Sequence, residues 1–237
     1  MHRFYVEDYV LENDNYHHAI NVLRLKTGDE IEVIQGLGRR FLAKIDSIDS
    51  EARIVGLEVI SRVELSVEPP KKLILVQCVT RPDKLSGIVE TCTQLGVSEI
   101  QLAESSRIQH KMRGERLNRK LEHLKKVAES SASLSGREII PKIAPPLPFD
   151  EAVLASTGEK LIPWELERDN YISSTLTSDQ ETITAVIGPE GGLAHDEIAF
   201  ALKNGFKPIT LGPRILRTQL ASIVTFSQIL TLIEGKK

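Results

Sequence analysis

The amino-acid sequence predicts an α/β protein in which a small β domain precedes a larger domain with a mainly parallel sheet. In the first 70 residues, polar and apolar residues alternate within short runs, as in strands with one face in a core. From Leu73 onward, strand-like runs alternate with helical stretches, which requires crossover connections between parallel strands. Two prolines and two lysines at positions 69–72 indicate a linker. We therefore predict domains at residues 1–70 and 71–237.

The predicted β domain contains a hairpin. Its strands cover residues 28–34 and 40–45, and Gly36-Leu37-Gly38 forms the turn between them. A short helix over residues 18–25 precedes the hairpin, and another strand is predicted at residues 54–60. We expect a small antiparallel domain that resembles a barrel.

The second predicted domain alternates strands with helices. The strands are predicted at residues 73–79, 99–103, 138–143, 160–164, 182–187 and 208–211. The helices are predicted at residues 84–94, 113–131, 150–155, 196–203 and 217 to about 233. Ligands of parallel sheets bind at the carboxyl ends of the strands, so we expect the site in the loops after Ile187 and Leu211. The last helix is apolar over most of its circumference, which predicts burial on nearly all sides, either in its own core or against a second copy.

Composition defines the class of protein. With 41% hydrophobic and 27% charged residues, the chain is excluded from the disordered and low-complexity classes. Its first residues mix both charge signs, unlike a secretory signal, and no apolar run is long enough to span a bilayer. Cys78 and Cys92 are isolated, and the histidines, His110 and His195 included, lack the spacing of metal ligands. We expect a cytoplasmic protein without a disulfide or a metal site.

The net charge of −3 conceals a basic segment. Residues 71–140 carry 13 basic and 8 acidic side chains, whereas both flanking segments are acidic. At its centre, Arg113, Arg116 and Lys120 fall on one face of a predicted helix, with Arg119 beside them. Such a run forms either a solvated helix face or a contact for nucleic-acid phosphates, and phosphate binding would depend steeply on salt concentration.

Gly188-Pro189-Glu190-Gly191-Gly192 follows a predicted strand and precedes a predicted helix. Three glycines allow a sharp turn and a close approach of the backbone to a ligand. The loop has neither the G-x-G-x-x-G spacing of dinucleotide-binding folds nor the Lys-Ser/Thr pair of a P-loop. Glu190 would repel a phosphate at the helix N-terminus, so a ligand with hydroxyl groups or a positive charge fits better.

A second loop, over residues 210–218, again joins a strand to a helix. Leu211, Ile215 and Leu216 are candidates for the walls of an apolar slot that holds a flat base. Gly212 gives access to the backbone, and Arg217 adds a cation. A tight turn with a solvated arginine is the alternative interpretation.

Together the two loops resemble the signature of a known family. Gly188-Pro189-Glu190-Gly191-Gly192, followed by Leu211-Gly212-Pro213-Arg214-Ile215-Leu216-Arg217, resembles the RsmE family of ribosomal RNA small subunit uridine-N3 methyltransferases, in the SPOUT superfamily. His18, Val22-Leu23-Arg24 and Gly28-Asp29 are similar to its N-terminal pattern. Leu95-Gly96-Val97 and Ser135-Gly136-Arg137 with Pro141 are similar to its central elements. The matches cover nearly the whole chain in the family's order and spacing.

The resemblance implies a fold, a cofactor and partners. The implied fold is a PUA-like β-barrel domain that binds RNA, followed by a SPOUT α/β domain with a C-terminal trefoil knot. The implied activity is S-adenosylmethionine-dependent methylation of N3 of a uridine in 16S ribosomal RNA, uridine 1498, within the small ribosomal subunit, by a homodimer. The implied cofactor-binding residues are Gly188, Pro189, Glu190, Gly191, Gly192, Leu211, Gly212, Pro213, Ile215, Leu216 and Arg217. The RNA-binding candidates are Arg24, Arg113, Arg116, Arg119 and Lys120.

The chemistry of this implied reaction gives candidate catalytic residues. Methylation of uridine at N3 requires loss of the N3 proton and leaves negative charge on the ring, which a nearby cation stabilises. Arg217 and Arg137 are the candidates for that cation or for a contact with RNA phosphate, and Arg217 ranks first. Glu190 is a candidate proton acceptor, or a balance for the charge of a cationic cofactor.

Two segments depart from the family pattern. Gln219-Leu220 stands where the family usually has Glu-Thr, and Ser133-Leu134 stands where it usually has Glu-Gln. These departures leave two alternatives open. One is an RNA-binding or ribosome-assembly protein with the same fold and weak or lost catalysis, and the other is a methyltransferase for another RNA.

Overall fold

A computed structural model describes residues 1–35, 39–63, 66–108, 111, 113–176 and 179–235. The chain divides into two compact units, Met1–Glu68 with Ala132–Ile139 and Pro69–Ser131 with Ile140–Lys237. Both units contain a sheet, and the predicted α/β class is confirmed. The predicted turn at Gly36-Leu37-Gly38 lies outside the described residues, as do His110 and Met112.

The first unit is built on a five-stranded sheet. Its strands are β1 (Arg3–Val6), β2 (Val10–Leu11), β3 (Glu30–Gln35), β4 (Arg39–Asp49) and β5 (Ile54–Val63). They are ordered β1-β3-β4-β5-β2, and β1 pairs in parallel with β3 while the other pairs are antiparallel. The sheet is therefore mixed, and the purely antiparallel prediction was wrong. With four and two residues, β1 and β2 are too short for their alternation to be recognised.

The predicted helix of the first unit begins earlier than expected. Helix α1 (Asn13–Tyr16) continues into a π-helical turn at His17–Val22. Tyr16 and Ala19 are buried in the core of this unit together with Phe4, Ile31 and Val33.

The segment Ala132–Ile139 belongs to the first unit, although the sequence placed it in the second domain. Tyr5 Oη donates to the carbonyl of Arg137 at 2.7 Å. The N–H groups of Glu138 and Ile139 donate to Glu68 Oε1 at 2.9 and 3.0 Å. These N–H groups donate to a carboxylate instead of a neighbouring strand. The strand predicted at residues 138–143 is therefore wrong at residues 138–141 and begins only at Lys142.

The second unit contains a six-stranded sheet. Its strands are β6 (Lys72–Cys78), β7 (Val97–Glu104), β8 (Lys142–Pro148), β9 (Glu159–Pro163), β10 (Thr182–Ile187) and β11 (Lys207–Ile209). Every pair in the order β11-β9-β10-β6-β7-β8 is parallel, as predicted. The edge strand β8 contains two adjacent prolines at the place where its register with β7 shifts. Edge strands and bulges are where a sheet tolerates proline.

Helices cover both faces of this sheet. They are α2 (Pro82–Gln94), α3 (Gly114–Ser135), α4 (Phe149–Ala155), α5 (Ile172–Thr175), α6 (His195–Lys203) and α7 (Thr218–Glu234). Alternate residues of β6 point to opposite cores: Leu73 and Leu75 lie in the core with α2 and α7, and Val76 and Cys78 in the core with α4 and α6. Burial of both faces explains the nearly continuous apolar run of this strand.

Helix α7 is buried on one face only. Ser222, Thr225, Phe226 and Ile229 are buried, whereas Leu220 is 47% exposed. Of the two alternatives for burial on nearly all sides, the chain's own core is therefore wrong, and burial against a second copy stays a prediction. None of the helices in the described part of the chain combines the length and apolar character needed to cross a membrane.

Candidate functional site

One cavity of about 480 Å³ lies at the carboxyl ends of β9, β10 and β11. Each of these strands ends in a loop that contributes to the wall. The lining residues are Lys84, Pro163, Trp164, Glu165, Arg168, Ile187, Gly188, Pro189, Glu190, Gly191, Gly192, Leu193, Ile198, Thr210, Leu211, Gly212, Arg214, Ile215, Leu216, Arg217, Thr218 and Ala221. The two loops singled out in the sequence therefore meet at one site, and all of the candidate cofactor-binding residues except Pro213 line it.

Two other segments of the chain and one internal hydrogen bond hold the first glycine loop. The carbonyl of Gly188 accepts a hydrogen bond from Thr218 Oγ1 at 2.6 Å, at the start of α7. The carbonyl of Gly191 accepts one from Arg107 Nη1 at 3.3 Å. Gly192 has a φ of +69°, which L side chains rarely adopt, and its N–H donates to the carbonyl of Pro189 at 3.0 Å. The loop is thus a fixed turn whose backbone faces the cavity.

Glu190 is held by the segment that joins β6 to α2. Its Oε1 accepts a hydrogen bond from Thr80 Oγ1 and another from the Arg81 N–H at 3.4 Å, and it lies 3.7 Å from Lys84 Nζ. Desolvation by burial acts to raise the pKa of Glu190, but the hydrogen bonds and the charge of Lys84 outweigh it and lower the pKa below its usual range. The carboxylate is therefore ionised near neutral pH and is a weak base. This placement favours charge balance over the role of proton acceptor.

The second loop forms the mouth of the cavity. Gly212 has a φ of +102°, and its N–H donates to Thr210 Oγ1 at 3.2 Å. Leu211 and Leu216 are half-buried, as expected of the walls of an apolar slot, but Ile215 is 88% exposed and stands at the rim. The loop therefore presents both an apolar wall and an open edge.

Arg217 is the residue immediately before α7, and its side chain is exposed. It forms no ion pair with any residue in the part of the chain that the structure describes. Arg214 and Arg168 also line the cavity and are exposed. The mouth thus carries three arginines, whereas the lysine inside, Lys84, is paired with Glu190.

Arg137 has a different environment. Its guanidinium is 2% exposed and donates to both carboxylate oxygens of Glu68, the shortest contact being 2.5 Å. It belongs to the first unit and does not line the cavity. A buried cation whose charge is neutralised by a bidentate carboxylate holds structure together, so the catalytic role considered for Arg137 is not supported.

The five RNA-binding candidates also differ in their surroundings. Lys120 Nζ donates to the carbonyl of Pro82 and to Ser86 Oγ, both at 2.7 Å, and its burial lowers its pKa. Arg113 is paired with Glu104. Arg116 and Arg119 are exposed on α3, and Arg119 lies 4.0 Å from Glu115. Of the basic face predicted from the sequence, Arg116 has no ion pair among the described residues, and Arg119 has only a long, exposed one.

Arg24 is exposed in the first unit and has a φ of +57°. Its side chain has no ion pair among the described residues. It stays a candidate for RNA binding.

Several cavity residues were not singled out as ligands in the sequence. Lys84 lines the cavity, and Thr80, just before it in the chain, donates to Glu190. Both follow a strand of the predicted parallel sheet, and that position was the signal that could have identified them. Trp164 and Glu165 also line the wall, and Trp164 packs edge to face against His195 at 6.3 Å. No signal in the sequence identified Arg168. Among the described residues, no three His, Cys, Asp or Glu side chains gather as a metal site would require.

Comparison with known proteins gives a family for both parts of the chain. The family model described as "RNA methyltransferase domain" matches residues 67–230, and that described as "RNA methyltransferase PUA domain" matches residues 11–55. A relative named ribosomal RNA small subunit methyltransferase E, from Buchnera aphidicola, is 31% identical over 97% of this chain and 93% of its own length.

Solved structures extend this similarity to the fold. The protein of the same name from Neisseria gonorrhoeae, bound to S-adenosyl methionine, has a TM-score of 0.89 and 26% identity, over 98% of both chains. A methyltransferase from Legionella pneumophila in complex with the cofactor SAM has a TM-score of 0.86 and 26% identity, over 97% of this chain and 96% of that one. The chain therefore belongs to the RNA methyltransferase family that includes the ribosomal RNA small subunit methyltransferases E.

Proposed function

We propose that the chain is an S-adenosylmethionine-dependent methyltransferase that acts on N3 of a uridine in small-subunit 16S ribosomal RNA. The observation that carries the proposal is the meeting of both glycine loops at one cavity, with an unpaired arginine at its mouth. The names of the relatives support the RNA substrate. The position in the ribosomal RNA and the choice of N3 rest on the family resemblance.

The cavity fits the cofactor in size and chemistry. Its volume of about 480 Å³ lies within the range of small-molecule sites, roughly 300–1,000 Å³. Leu211 and Leu216 provide apolar surface for an adenine ring, and the Gly188–Gly192 backbone allows a close approach. Glu190 provides an ionised carboxylate for a ligand that carries a positive sulfonium. The chemistry that S-adenosylmethionine supplies when bound is an electrophilic methyl group.

The protein's own residues would act on the uridine. Loss of the N3 proton leaves negative charge on the ring and its carbonyl oxygens, and a cation without a competing carboxylate stabilises that charge most effectively. Arg217 meets this condition, whereas Arg137 does not. Since Glu190 is already hydrogen-bonded and has a lowered pKa, the proton is expected to leave to solvent or to a group other than Glu190.

The departures from the family pattern lie outside the cavity. Gln219 packs closely against Gly87 of α2, since a Cβ built on Gly87 would lie only 2.7 Å from Gln219 Nε2. Leu220 is exposed at the surface. Ser133 Oγ donates to the carbonyl of Arg3 at 3.2 Å, and Leu134 is 79% exposed. Because none of these side chains lines the cavity, they do not support the alternative of a protein that has lost catalysis.

The proposed enzyme acts as a homodimer in the cytoplasm. Support for the dimer comes from α7, in which Leu220 is 47% exposed and Ile223 and Val224 are only half-buried. These apolar residues would gain burial against a second copy. If sedimentation shows a dimer that Leu220→Glu converts to a monomer, the dimer through α7 is supported, and a monomeric wild-type protein would contradict it.

Mass spectrometry of ribosomal RNA tests the activity. RNA from cells that lack the gene is expected to lose one N3-methylated uridine in the small subunit and to regain it when the purified protein and S-adenosylmethionine are added. If the uridine remains methylated without the gene, and no second enzyme accounts for it, the proposal is wrong.

The role of Arg217 is tested with two variants. We expect Arg217→Ala to lower turnover by roughly 100-fold, as the loss of one group that stabilises negative charge does in other enzymes. Arg217→Lys is expected to retain part of the turnover, since it keeps the charge but not the planar guanidinium. Cofactor affinity, measured by calorimetry, should stay within a few-fold. Unchanged turnover in Arg217→Ala would remove this residue from the mechanism.

A further inference from the structure

Behind the cavity wall lies a buried glutamine that the proposed chemistry does not use. Gln77 is 0% exposed, and on the neighbouring strand it is in register with Ile187, the last residue before the first glycine loop. Its Nε2 donates to the carbonyl of Cys78 at 2.9 Å and to Thr218 Oγ1 at 3.1 Å. Within the described residues, its Oε1 has no hydrogen-bond partner.

These contacts give the hydroxyl of Thr218 a fixed direction. An amide nitrogen only donates, so Thr218 Oγ1 must accept from Gln77 and keeps its single hydrogen for another acceptor. That acceptor is the carbonyl of Gly188, at 2.6 Å. The result is a relay of hydrogen bonds that runs from Gln77 through Thr218 to Gly188.

We propose that Gln77 is a positioning residue that sets the first glycine loop relative to Arg217. Gly188 is the first residue of the loop that follows β10, and Thr218 is the first residue of α7, directly after Arg217. The relay therefore connects the two loops that would hold the cofactor and the catalytic cation. This inference rests on the proposed function, because the relay affects activity only if the two loops hold the cofactor and the catalytic cation.

The unpartnered oxygen of Gln77 supports a role beyond packing. A buried acceptor without a partner lowers stability, and native structures contain few of them. A leucine would fill similar space without leaving a polar atom unpaired. Such local conflicts are expected at functional sites, where the geometry of the site rather than stability determines the residue.

The neighbouring strand β7 offers a matched control. Gln101 Nε2 donates to the carbonyl of the next residue, Leu102, at 2.8 Å and to the carbonyl of Pro145 at 2.7 Å. The side chain thus ties backbone segments together in the same way as Gln77, but neither Leu102 nor Pro145 lines the cavity, whereas Thr218 does. Replacement of Gln101 by Leu removes similar hydrogen bonds without touching the relay.

The test compares Gln77→Leu with Gln101→Leu. We expect Gln77→Leu to bind S-adenosylmethionine about tenfold more weakly by calorimetry and to lower kcat at least tenfold, whereas Gln101→Leu keeps both. Thermal denaturation of both variants shows that the comparison is made between folded proteins. Equal cofactor affinity and equal kcat in the two variants would overturn the proposal.

Substitutions at Thr218 test the relay from its other end. Thr218→Val removes the hydroxyl and should reproduce the loss, and Thr218→Ser, which keeps the hydroxyl, should recover most of it. The double variant Gln77→Leu/Thr218→Val should be no worse than Thr218→Val alone, since both changes break one relay. If Gln77→Leu does not fold, the comparison of Thr218→Val with Thr218→Ser tests the relay. Equal cofactor affinity and equal kcat in these two variants would overturn the proposal.

Different results would contradict the relay and the proposed function. A wild-type protein that binds S-adenosylmethionine but does not methylate ribosomal RNA would contradict the proposed function. The effect of Gln77→Leu on cofactor affinity would still be measurable in that protein and would decide the relay.

Discussion

Gly192 provides a direct test of whether the first glycine loop holds the cofactor. Its φ of +69° is unfavourable for any residue with a Cβ, so Gly192→Ala is expected to lose about 1–2 kcal/mol of stability. The added Cβ would lie 3.4 Å from Glu165 Oε1, which is an ordinary contact, so no clash adds to this figure. For a chain of this size, the expected decrease in Tm is about 2–8 °C.

Gly205 is the matched control for this substitution. It has a φ of +87°, an added Cβ would meet no atom within 4 Å, and the residue does not line the cavity. Gly205→Ala should therefore lose a similar amount of stability for the same backbone reason. Because a typical domain has about 5–15 kcal/mol of stability, both variants should remain folded.

The two variants are expected to differ in cofactor binding. A methyl group at Gly192 would occupy space where the backbone approaches the ligand, and we expect at least a tenfold loss of S-adenosylmethionine affinity, about 1.4 kcal/mol. Gly205→Ala should bind as the wild type does. Cofactor affinity is measured by calorimetry on both proteins, and Tm is measured by differential scanning fluorimetry. If Gly192→Ala binds as tightly as Gly205→Ala, the loop does not contact the cofactor and the reasoning is refuted.

Three further predictions concern charge. Desolvation acts to raise the pKa of Glu190, but its hydrogen bonds lower this pKa overall. The ionised carboxylate therefore contributes fully to stability above its unfolded pKa of about 4.5, and this contribution is lost as the pH falls through the folded pKa. In Glu190→Gln, the free energy of unfolding should fall less steeply with decreasing pH over this acid range, the acid limb of the stability curve. Glu68→Gln removes the carboxylate that pairs with the buried guanidinium of Arg137 and should lower the free energy of unfolding by about 3–5 kcal/mol in urea titrations. Replacement of Arg116 and Arg119 by Glu should weaken RNA binding and reduce its dependence on salt in filter-binding assays.

Each of these charge predictions has an outcome that contradicts it. An acid limb as steep in Glu190→Gln as in the wild type would show that this carboxylate does not contribute. A loss below about 1 kcal/mol in Glu68→Gln would mean that Arg137 finds water or another partner. If the Arg116 and Arg119 reversals leave RNA affinity unchanged at low salt, that face of α3 is merely solvated.

Local sequence patterns determined most of the secondary structure. β10 was predicted at its observed bounds because five of its six residues are β-branched and the run ends at a glycine. Helix α2 was predicted two residues short because Pro82 at its first position, which is a favourable start, was not used as a signal. The strand predicted at residues 138–143 failed because Glu68, 70 positions earlier, takes the N–H groups of Glu138 and Ile139, and no local pattern reveals that partner.

The sequence by itself determined the two glycine loops and the family that they resemble, since both depend on residue type and spacing. Only the tertiary structure decided which charges are free. Arg137 and Arg217 look alike in the sequence, yet one is buried against a carboxylate and the other is exposed at a cavity. Burial and pairing are set by residues distant in the chain, and these determine whether a charge is available for chemistry. The threading of the chain into a trefoil knot and the domain boundary at residue 70 stay predictions.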